Sequence, residues 1–468
     1  MNLAGQRIGV AGLGLSGRAA VAALEPLGAT LTLIDDAAEG TLPPASVDLS
    51  SLDRLVVSPG WAPGSPLLQA ARAAELPVWS EVELAWQLRA NPAAPWLTLT
   101  GTNGKTTTVE LLRDLLVAGG ARAVAVGNVG NPLVSAVLEA STEVFAVELS
   151  SFQLHYTTSV RPLAAALLNV AADHIDWHGS FEAYAADKAR VFSGVERFCV
   201  YNAADPAARA AALAAVPPGA GGGDEAEPRA VGFTLAAPRL GEIGLVDRQI
   251  VDRAFGPERW RQARPLVSLD DLAHLAGPDG RLAPDLVADV LAAIALALAY
   301  GTEVDGIGQT LRGFRPGAHR REEIAEISGV RFVDDSKATN AHAAAAALGC
   351  FPAGSVVWIA GGLAKGARFE SLVARRSDRL KAAVLIGLDH HELTAALAAG
   401  APGLPVLEIA PGENLMERTV AAAAALAEPG DTVLLAPASA SMDQFDSYAE
   451  RGRAFAQAVE RLVSADVA

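Results

Sequence analysis

The sequence predicts an α/β protein of three domains, and three observations carry that prediction. Apolar, strand-like runs alternate with segments of helical spacing along the whole chain. Glycine-rich turns recur at the carboxyl ends of those runs, where open α/β sheets bind their ligands. The 468 residues, 51% hydrophobic and 19% charged, are enough for about three buried cores. Punctuation sets the expected boundaries. Asn91-Pro92-Ala93-Ala94-Pro95 separates residues 1–92 from 93–316, and Arg315-Pro316-Gly317 marks the start of residues 317–468.

The first domain reads as a Rossmann-like unit. Arg7 to Ala11 is a strand, Gly12-Leu13-Gly14-Leu15-Ser16-Gly17 a turn, Arg18 to Leu27 a helix, and Ala29 to Ile34 a strand ending at Asp35. That is a Gly-x-Gly-x-x-Gly turn with an acid about twenty positions on, the pattern of a dinucleotide site. The same glycines also serve if they only let the helix pack closely on its strand. A strand and turn from Leu55 to Gly60 and a helix from Trp79 to Leu88 complete the unit.

The second domain opens on the stretch around which the chain is organised. Pro95 to Leu99 is a short buried strand, Gly101-Thr102-Asn103-Gly104-Lys105-Thr106-Thr107-Thr108 a turn, and helical spacing begins at Val109. Backbone N–H groups at a helix start favour an anion, and Lys105 adds a point charge, so the expected ligand is a nucleotide phosphate. The general phosphate-loop pattern requires glycine where Leu99 stands, so the domain is P-loop-like and mononucleotide-binding without matching that pattern. Strands follow at Arg122 to Val126, Val144 to Glu148, Ala164 to Val170 and Phe198 to Asn202, and Val216 to Arg229 is expected to be a mobile surface loop. The third domain, with strands at Val330 to Val333, Ser355 to Ala360, Ala382 to Ile386 and Thr432 to Ala436, is again Rossmann-like α/β.

Charge narrows the partners. A formal net charge of −16 excludes general nucleic-acid and acidic-membrane binding, which need clustered cations. An anionic small molecule must then meet local positive charge. Cys199 and Cys350 show no pairing pattern, no charged-then-apolar leader precedes Gly9, and the apolar run Val290 to Tyr300, with Asp285 and Asp289 just before it, is too short for a membrane span. The expected compartment is the cytoplasm. Of 37 basic residues only Lys105, Lys188, Lys337, Lys365 and Lys381 are lysine. Lysine kept in an arginine-rich chain points to chemistry a guanidinium cannot perform.

Chemistry-bearing residues cluster at strand ends. Glu148, followed by Leu149-Ser150-Ser151-Phe152-Gln153-Leu154, is placed to hold Mg²⁺ directly or through water, though read alone it serves equally as a strand-end salt-bridge partner. Asn169 and Asp173-His174-Ile175-Asp176-Trp177-His178 follow the next strand. His174, Asp176 and His178 resemble a zinc set, but a phosphate site calls for a hard ion, and magnesium is favoured. Lys188 sits in a helical segment from Phe181 to Phe192, where pattern alone reads it as a solvated helix lysine and only the scarcity of lysine argues otherwise. Asp334-Asp335-Ser336-Lys337-Ala338-Thr339-Asn340, Gly361-Gly362-Leu363-Ala364-Lys365-Gly366 and Ser439-Ala440-Ser441-Met442-Asp443-Gln444-Phe445 each follow a strand and could line one crevice. Each also reads as a capped turn before a helix.

Taken together and in order, these motifs, with His319-Arg320 and Arg451-Gly452, resemble the Mur ligases over essentially the whole chain. The Gly101 to Thr107 loop is shared with folylpolyglutamate synthetases, whereas Asp335 to Asn340 and Ser441 to Phe445 resemble the D-glutamate-adding branch. The resemblance implies a UDP-sugar-binding domain at 1–92, an ATP-binding domain at 93–316 and an amino-acid-binding domain at 317–468. It implies an ATP-dependent ligase joining D-glutamate to UDP-N-acetylmuramoyl-L-alanine through an acyl phosphate, acting as a monomer on small molecules, with ATP and two Mg²⁺. ATP would be held by Gly101, Thr102, Asn103, Gly104, Lys105, Thr106, Thr107, Arg320, Asp335 and Lys337. The UDP-sugar would meet Leu15, Ser16, Gly17, Asp35, Asn128 and His174, and D-glutamate would meet Thr339, Lys365, Ser441 and Tyr448. Thr106, Glu148, His174 and Lys188 as a carbamate would serve the metal, with Lys105, His174 and Lys188 catalytic.

The chain departs from the family in three places. The uracil-site Asp-Thr-Arg appears as Asp35-Asp36-Ala37, His-Asn-x-x-Asn as Asp285-Leu286-Val287-Ala288-Asp289, and Arg321 stands where an aromatic is common. Competing readings are an NAD-dependent oxidoreductase using the first glycine turn, a folylpolyglutamate synthetase, and a nucleotide-sensing protein with an inactive site. The first leaves the second loop and four motif lysines without a role.

Overall fold

The computed structural model describes residues 3–216, 229–277 and 280–466, and the expected mobile loop lies, for residues 217–228, outside them. Three sheets carry the fold. The first has four parallel strands in the order Thr30–Ile34, Arg7–Ala11, Arg54–Val57, Val78–Ser80. The second places the strand before the glycine loop, Trp96–Thr100, between Val144–Glu148 and Ala164–Leu167, with Ala123–Gly127 at one edge. On its other side it continues through Phe198–Asn202, Arg229–Phe233 and Glu242–Val246, all parallel, and ends in antiparallel Gln249–Asp252 and Arg264–Ser268. The third runs Glu322–Ile327, Val330–Asp334, Thr432–Leu435, Val356–Gly361, Leu380–Ile386, Val406–Glu408, and only its first strand is antiparallel.

Most expected elements form within a residue or two of their predicted ends, and the differences have local causes. Trp79 and Ser80 were expected in a helix but belong to an edge strand, because Ser80 is an N-cap: its Oγ accepts from Glu83 N at 3.1 Å, so the helix begins at Glu81. The first helix starts at Leu15, three residues earlier than expected, directly after Gly14. The antiparallel strands Gln249–Asp252 and Arg264–Ser268 and the edge strand Glu322–Ile327 were not expected, since strands this short and polar lack the apolar runs that mark buried ones. The apolar run at Val290 lies within the helix Pro284–Tyr300 and is a core element, its Val290 to Ala297 stretch wholly buried. Among the described residues no helix is long and apolar enough to cross a membrane.

The chain divides into two compact units. One comprises Met1–Val170, Trp177–Leu272 and Leu286–Phe314, and contains the first two sheets. A continuous core joins them, from Ile8 and Val10 through Val82 to Trp96 and Phe145. Trp86 meets Trp96 edge-on at 4.9 Å, across the Asn91 to Pro95 segment. Glu81 is buried at the same seam, where its Oε1 accepts from Val134 N at 2.6 Å. Burial pushes its carboxyl up to about 7, with the backbone donors of Val134 and Leu133 opposing. A raised carboxyl costs stability once it must ionise, so stability is fullest at low pH and is lost as pH rises from about 4.5 through 7. Glu81→Gln, which keeps the accepting oxygen, should therefore raise stability by about 3 kcal/mol above pH 7 and by nothing below pH 4. Denaturant titrations at the two pH values measure this.

The other unit comprises Ala171–Asp176, Ala273–Asp285 and Arg315–Ala468. Its sheet is covered on both faces: one core contains Trp358, Leu348 and Leu372, the other Ile359, Val433 and Phe455.

Candidate active site

In the first unit strand, glycine turn and helix form in the expected order, but the helix starts at Lys105, four residues before the expected Val109, so the turn is shorter. Gly104 has φ +83° and precedes the helix Lys105–Ala118 with no side-chain cap. A Cβ at Gly104 would run into Asp289 Oδ1, so both φ and space require glycine. Asn169 pins the loop from the neighbouring strand end. Its Oδ1 accepts from Asn103 N at 2.9 Å, its Nδ2 donates to Asn103 O at 3.1 Å, and its carbonyl accepts from Thr102 N at 3.0 Å. Two of the rare lysines converge on one atom: Lys105 Nζ donates to Gly101 O at 3.0 Å and Lys188 Nζ to the same oxygen at 2.7 Å. Lys105 also donates to Thr102 O at 2.9 Å. Lys188 arrives from the helix Phe181–Ala189, 2% exposed, with its ammonium 4.8 Å from the centre of the Tyr184 ring. Tyr184 in turn bonds Thr102 Oγ1 through its hydroxyl at 2.9 Å. Thr106 and Thr107 follow in the first turn of the loop helix.

Glu148 ends the strand Val144–Glu148, in register with Leu99 beside the loop. It is 1% exposed. Its Oε1 accepts from Asn128 Nδ2 at 2.9 Å, and its Oε2 is buried with no hydrogen-bond partner. An orphaned buried carboxylate oxygen is costly unless a cation meets it. Oxygen donors near a phosphate cradle fit a hard divalent ion such as magnesium.

One cluster escaped the sequence. Asp187, beside Lys188, receives His155 Nδ1 at 2.8 Å and His178 Nδ1 at 2.9 Å, and His178 Nε2 lies 3.0 Å from Ser151 Oγ. Burial pushes the Asp187 carboxyl up, but bonds from the two imidazoles outweigh it and hold the group at about 2. His178 is thus committed to the helix that carries Lys188. The sequence signal was His178 in zinc-like spacing with His174 and Asp176, and nothing local tied it to His155 or Asp187.

At the first glycine turn, Asp35 accepts from Leu13 N at 2.7 Å and Ala37 N at 2.9 Å, and these backbone donors hold its carboxyl below the usual range. Leu15, Ser16 and Gly17 form the first turn of the helix Leu15–Leu24.

The second unit assembles its own group of loops. His174, with φ +53°, follows Asp173, whose Oδ2 accepts from Asn340 Nδ2 at 3.0 Å. Asn340 also caps the helix Ala341–Leu348. Lys337 Nζ lies 3.8 Å from the centre of the Tyr448 ring, and Ser336 Oγ donates to Tyr448 O at 2.7 Å. Arg451, 1% exposed, donates to Ser336 Oγ, Ser336 O and Ser439 O, and burial lowers it to about 10. Leu363 and Ala440 pair antiparallel, which holds the loop of Lys365, itself at φ +50°, against that of Ser441. Thr339 N donates to Lys337 O at 2.8 Å. Burial pushes the Asp335 carboxyl up to about 7, opposed by Arg321 and Arg320. His319, Glu322 and Asp334 bring ligand-type atoms within 4.8 Å of one another, but His319 Nδ1 is already bonded to Asp334 Oδ2 at 2.6 Å.

Two family models match the chain. The Mur ligase middle domain matches residues 99–218, and the Mur ligase glutamate ligase domain matches residues 319–439. The chain is 48% identical to a UDP-N-acetylmuramoylalanine--D-glutamate ligase of Thermobifida fusca, over 99% of this chain and 100% of that one. It is 46% identical to the protein of the same name from Streptomyces avermitilis, over 98% and 99%. Among solved structures, the MurC ligase of Thermotoga maritima shares the fold, with a TM-score of 0.57 at 15% identity, covering 98% of this chain and 99% of that one. MurF of the same organism, solved with ADP, gives 0.56 at 17%, over 98% and 96%.

Proposed function

The chain belongs to the Mur ligase family, and on that premise we propose that it joins D-glutamate to UDP-N-acetylmuramoyl-L-alanine with ATP, in peptidoglycan precursor synthesis. The observation that carries this reading is the near-full-length identity to D-glutamate ligases. A carboxylate is a poor electrophile, so its oxygen first attacks the γ-phosphorus of ATP, the bond to ADP breaks, and an acyl phosphate forms. The amine of D-glutamate then attacks the acyl carbon, phosphate leaves, and the new amide nitrogen loses its proton.

In such a transfer the protein chiefly positions anions and neutralises charge. The Gly101 to Thr107 loop and Lys105 cradle the phosphates. Lys105 and Lys188, already within reach of one carbonyl, support that role. The family works with ATP and magnesium, and magnesium, when bound, offsets charge on the phosphates. Thr106, Glu148, His174 and Lys188 as a carbamate would hold two such ions. Arg320, Asp335 and Lys337 serve the nucleotide, Thr339, Lys365, Ser441 and Tyr448 receive D-glutamate, and Leu15, Ser16, Gly17, Asp35, Asn128 and His174 hold the UDP-sugar. Residues 1–92, 93–316 and 317–468 take chiefly the UDP-sugar, ATP and D-glutamate in turn, the middle segment lending Asn128 and His174 to the sugar and the last lending Arg320, Asp335 and Lys337 to the nucleotide. The enzyme works in the cytoplasm as a monomer.

Phosphate release is the direct test. With ATP, magnesium and UDP-N-acetylmuramoyl-L-alanine, release is expected with D-glutamate and not with L-lysine, meso-diaminopimelate or L-alanine. Release with one of those three and none with D-glutamate overturns the assignment.

A further inference from the structure

His319-Arg320-Arg321 is a strained turn. His319 has φ +64° and Arg321 φ +52°, left-handed conformations that bulky side chains keep only where their surroundings impose them. Both flanks are tied down. His319 bonds Asp334 through Nδ1 at 2.6 Å, receives Lys337 N on its carbonyl at 3.2 Å, and gives its own N–H to Glu322 Oε2 at 3.0 Å. Arg321 forks Asp285, Nη1 to Oδ1 at 3.3 Å and Nη2 to Oδ2 at 3.1 Å, while Nη1 also lies 3.0 Å from Cys350 Sγ. The Arg320 guanidinium between these anchors makes no hydrogen bond among the described residues, and its charge acts on Asp335.

Arg321 and Asp285 depend on each other. Each alone would be unfavourable. Asp285 without Arg321 would set a second carboxylate against Asp335, and Arg321 without Asp285 would lose its only ion-pair partner among the described residues. We infer that the Arg321–Asp285 fork is a positioning device for nucleotide binding, locking the strained turn so that Arg320 and Asp335 are held ready for the phosphates and sugar of ATP. This rests on the reading that Arg320 and Asp335 serve the nucleotide. The geometry demands arginine, since a lysine ammonium cannot fork a carboxylate and meet the Cys350 sulfur as well.

The charges facing Asp335 are Arg321 and Arg320, which favour its carboxylate, and Asp285 and Asp334, which oppose it. Losing Arg321 therefore moves the titration of Asp335 upward, and losing the Asp285 charge moves it downward. The test compares Arg321→Ala, Arg321→Lys, Asp285→Asn and the double variant Arg321→Ala/Asp285→Asn in the full-length protein. It reads KM for ATP, KM for D-glutamate, the pH dependence of both, and ATP affinity by titration calorimetry. Arg321→Ala should raise the ATP KM and Kd about tenfold while the D-glutamate KM stays within about twofold, and should move the acid limb of the ATP KM profile to higher pH. Asp285→Asn should also weaken ATP but move that limb to lower pH, the double variant should be no weaker than Arg321→Ala, and Arg321→Lys should recover only part. Unchanged ATP KM, Kd and pH profile in Arg321→Ala and Asp285→Asn overturns the inference, whatever happens to melting temperature. Should Arg321→Ala fail to fold, Asp285→Asn decides alone. Absence of D-glutamate-dependent phosphate release from the unaltered protein would instead defeat the proposed function, and the calorimetric comparison would still judge the fork.

Discussion

Lys188→Ala is expected to lower kcat/KM by about a thousandfold, and bicarbonate or a short carboxylate to restore part of it. Lys188 is 2% exposed and its Nζ donates to Gly101 O at 2.7 Å, so it is committed to the glycine loop. Addition of carbon dioxide to the neutral amine forms an N–C bond and releases one proton, leaving an anionic carboxylate that can meet magnesium. The carbamate nitrogen keeps one N–H, so the bond to Gly101 O survives the conversion. An arginine keeps the positive charge but cannot make this change, and Lys188→Arg should be as inactive as alanine and beyond rescue. The alanine variant would free the space beside Thr100, Gly101 and Tyr184 for a small carboxylate. Full activity in Lys188→Ala would reduce the residue to a packing role, which melting temperature alone would register.

Glu148→Gln separates metal binding from folding by moving the two in opposite directions. The concentration of magnesium needed for half-maximal activity should rise by about 10- to 100-fold, because an amide replaces the anionic oxygen. The melting temperature without magnesium should rise by roughly 2–4 °C, since the substitution removes a charge from an oxygen that is buried with no partner. The bond from Asn128 Nδ2 to Oε1 is retained by glutamine. A lower melting temperature with unaltered magnesium dependence would make Glu148 a structural partner of Asn128 and nothing more.

The strand, glycine turn and helix at Trp96 to Ala118 were legible in the chain because each signal is local. An apolar run, a glycine that must take φ +83°, and a lysine at the helix start sit within a few residues of one another. The same holds for the strand-end carboxylate Glu148 and for the scarcity of lysine, which singled out Lys188 before its neighbours were known. The sheet edges were not legible. Glu322–Ile327 carries three acids among Ile324, Ala325 and Ile327, and an edge strand needs only one partner, so no apolar run betrays it.

The α/β class and the three sheets' central strands were readable from period and glycine placement, and residue chemistry marked side chains of a type suited to phosphate. The tertiary structure alone decided which charges meet. His155 and His178 both close on Asp187, Lys105 and Lys188 share the carbonyl of Gly101, and Arg321 finds Asp285. Except for Lys105, which bonds a carbonyl one helical turn away, and His178, which bonds across nine residues, these partners lie 32 to 87 residues apart in the chain. Periodicity reports only neighbours within a turn or a strand, and a pair that distant exists only once the sheets have placed its two ends side by side.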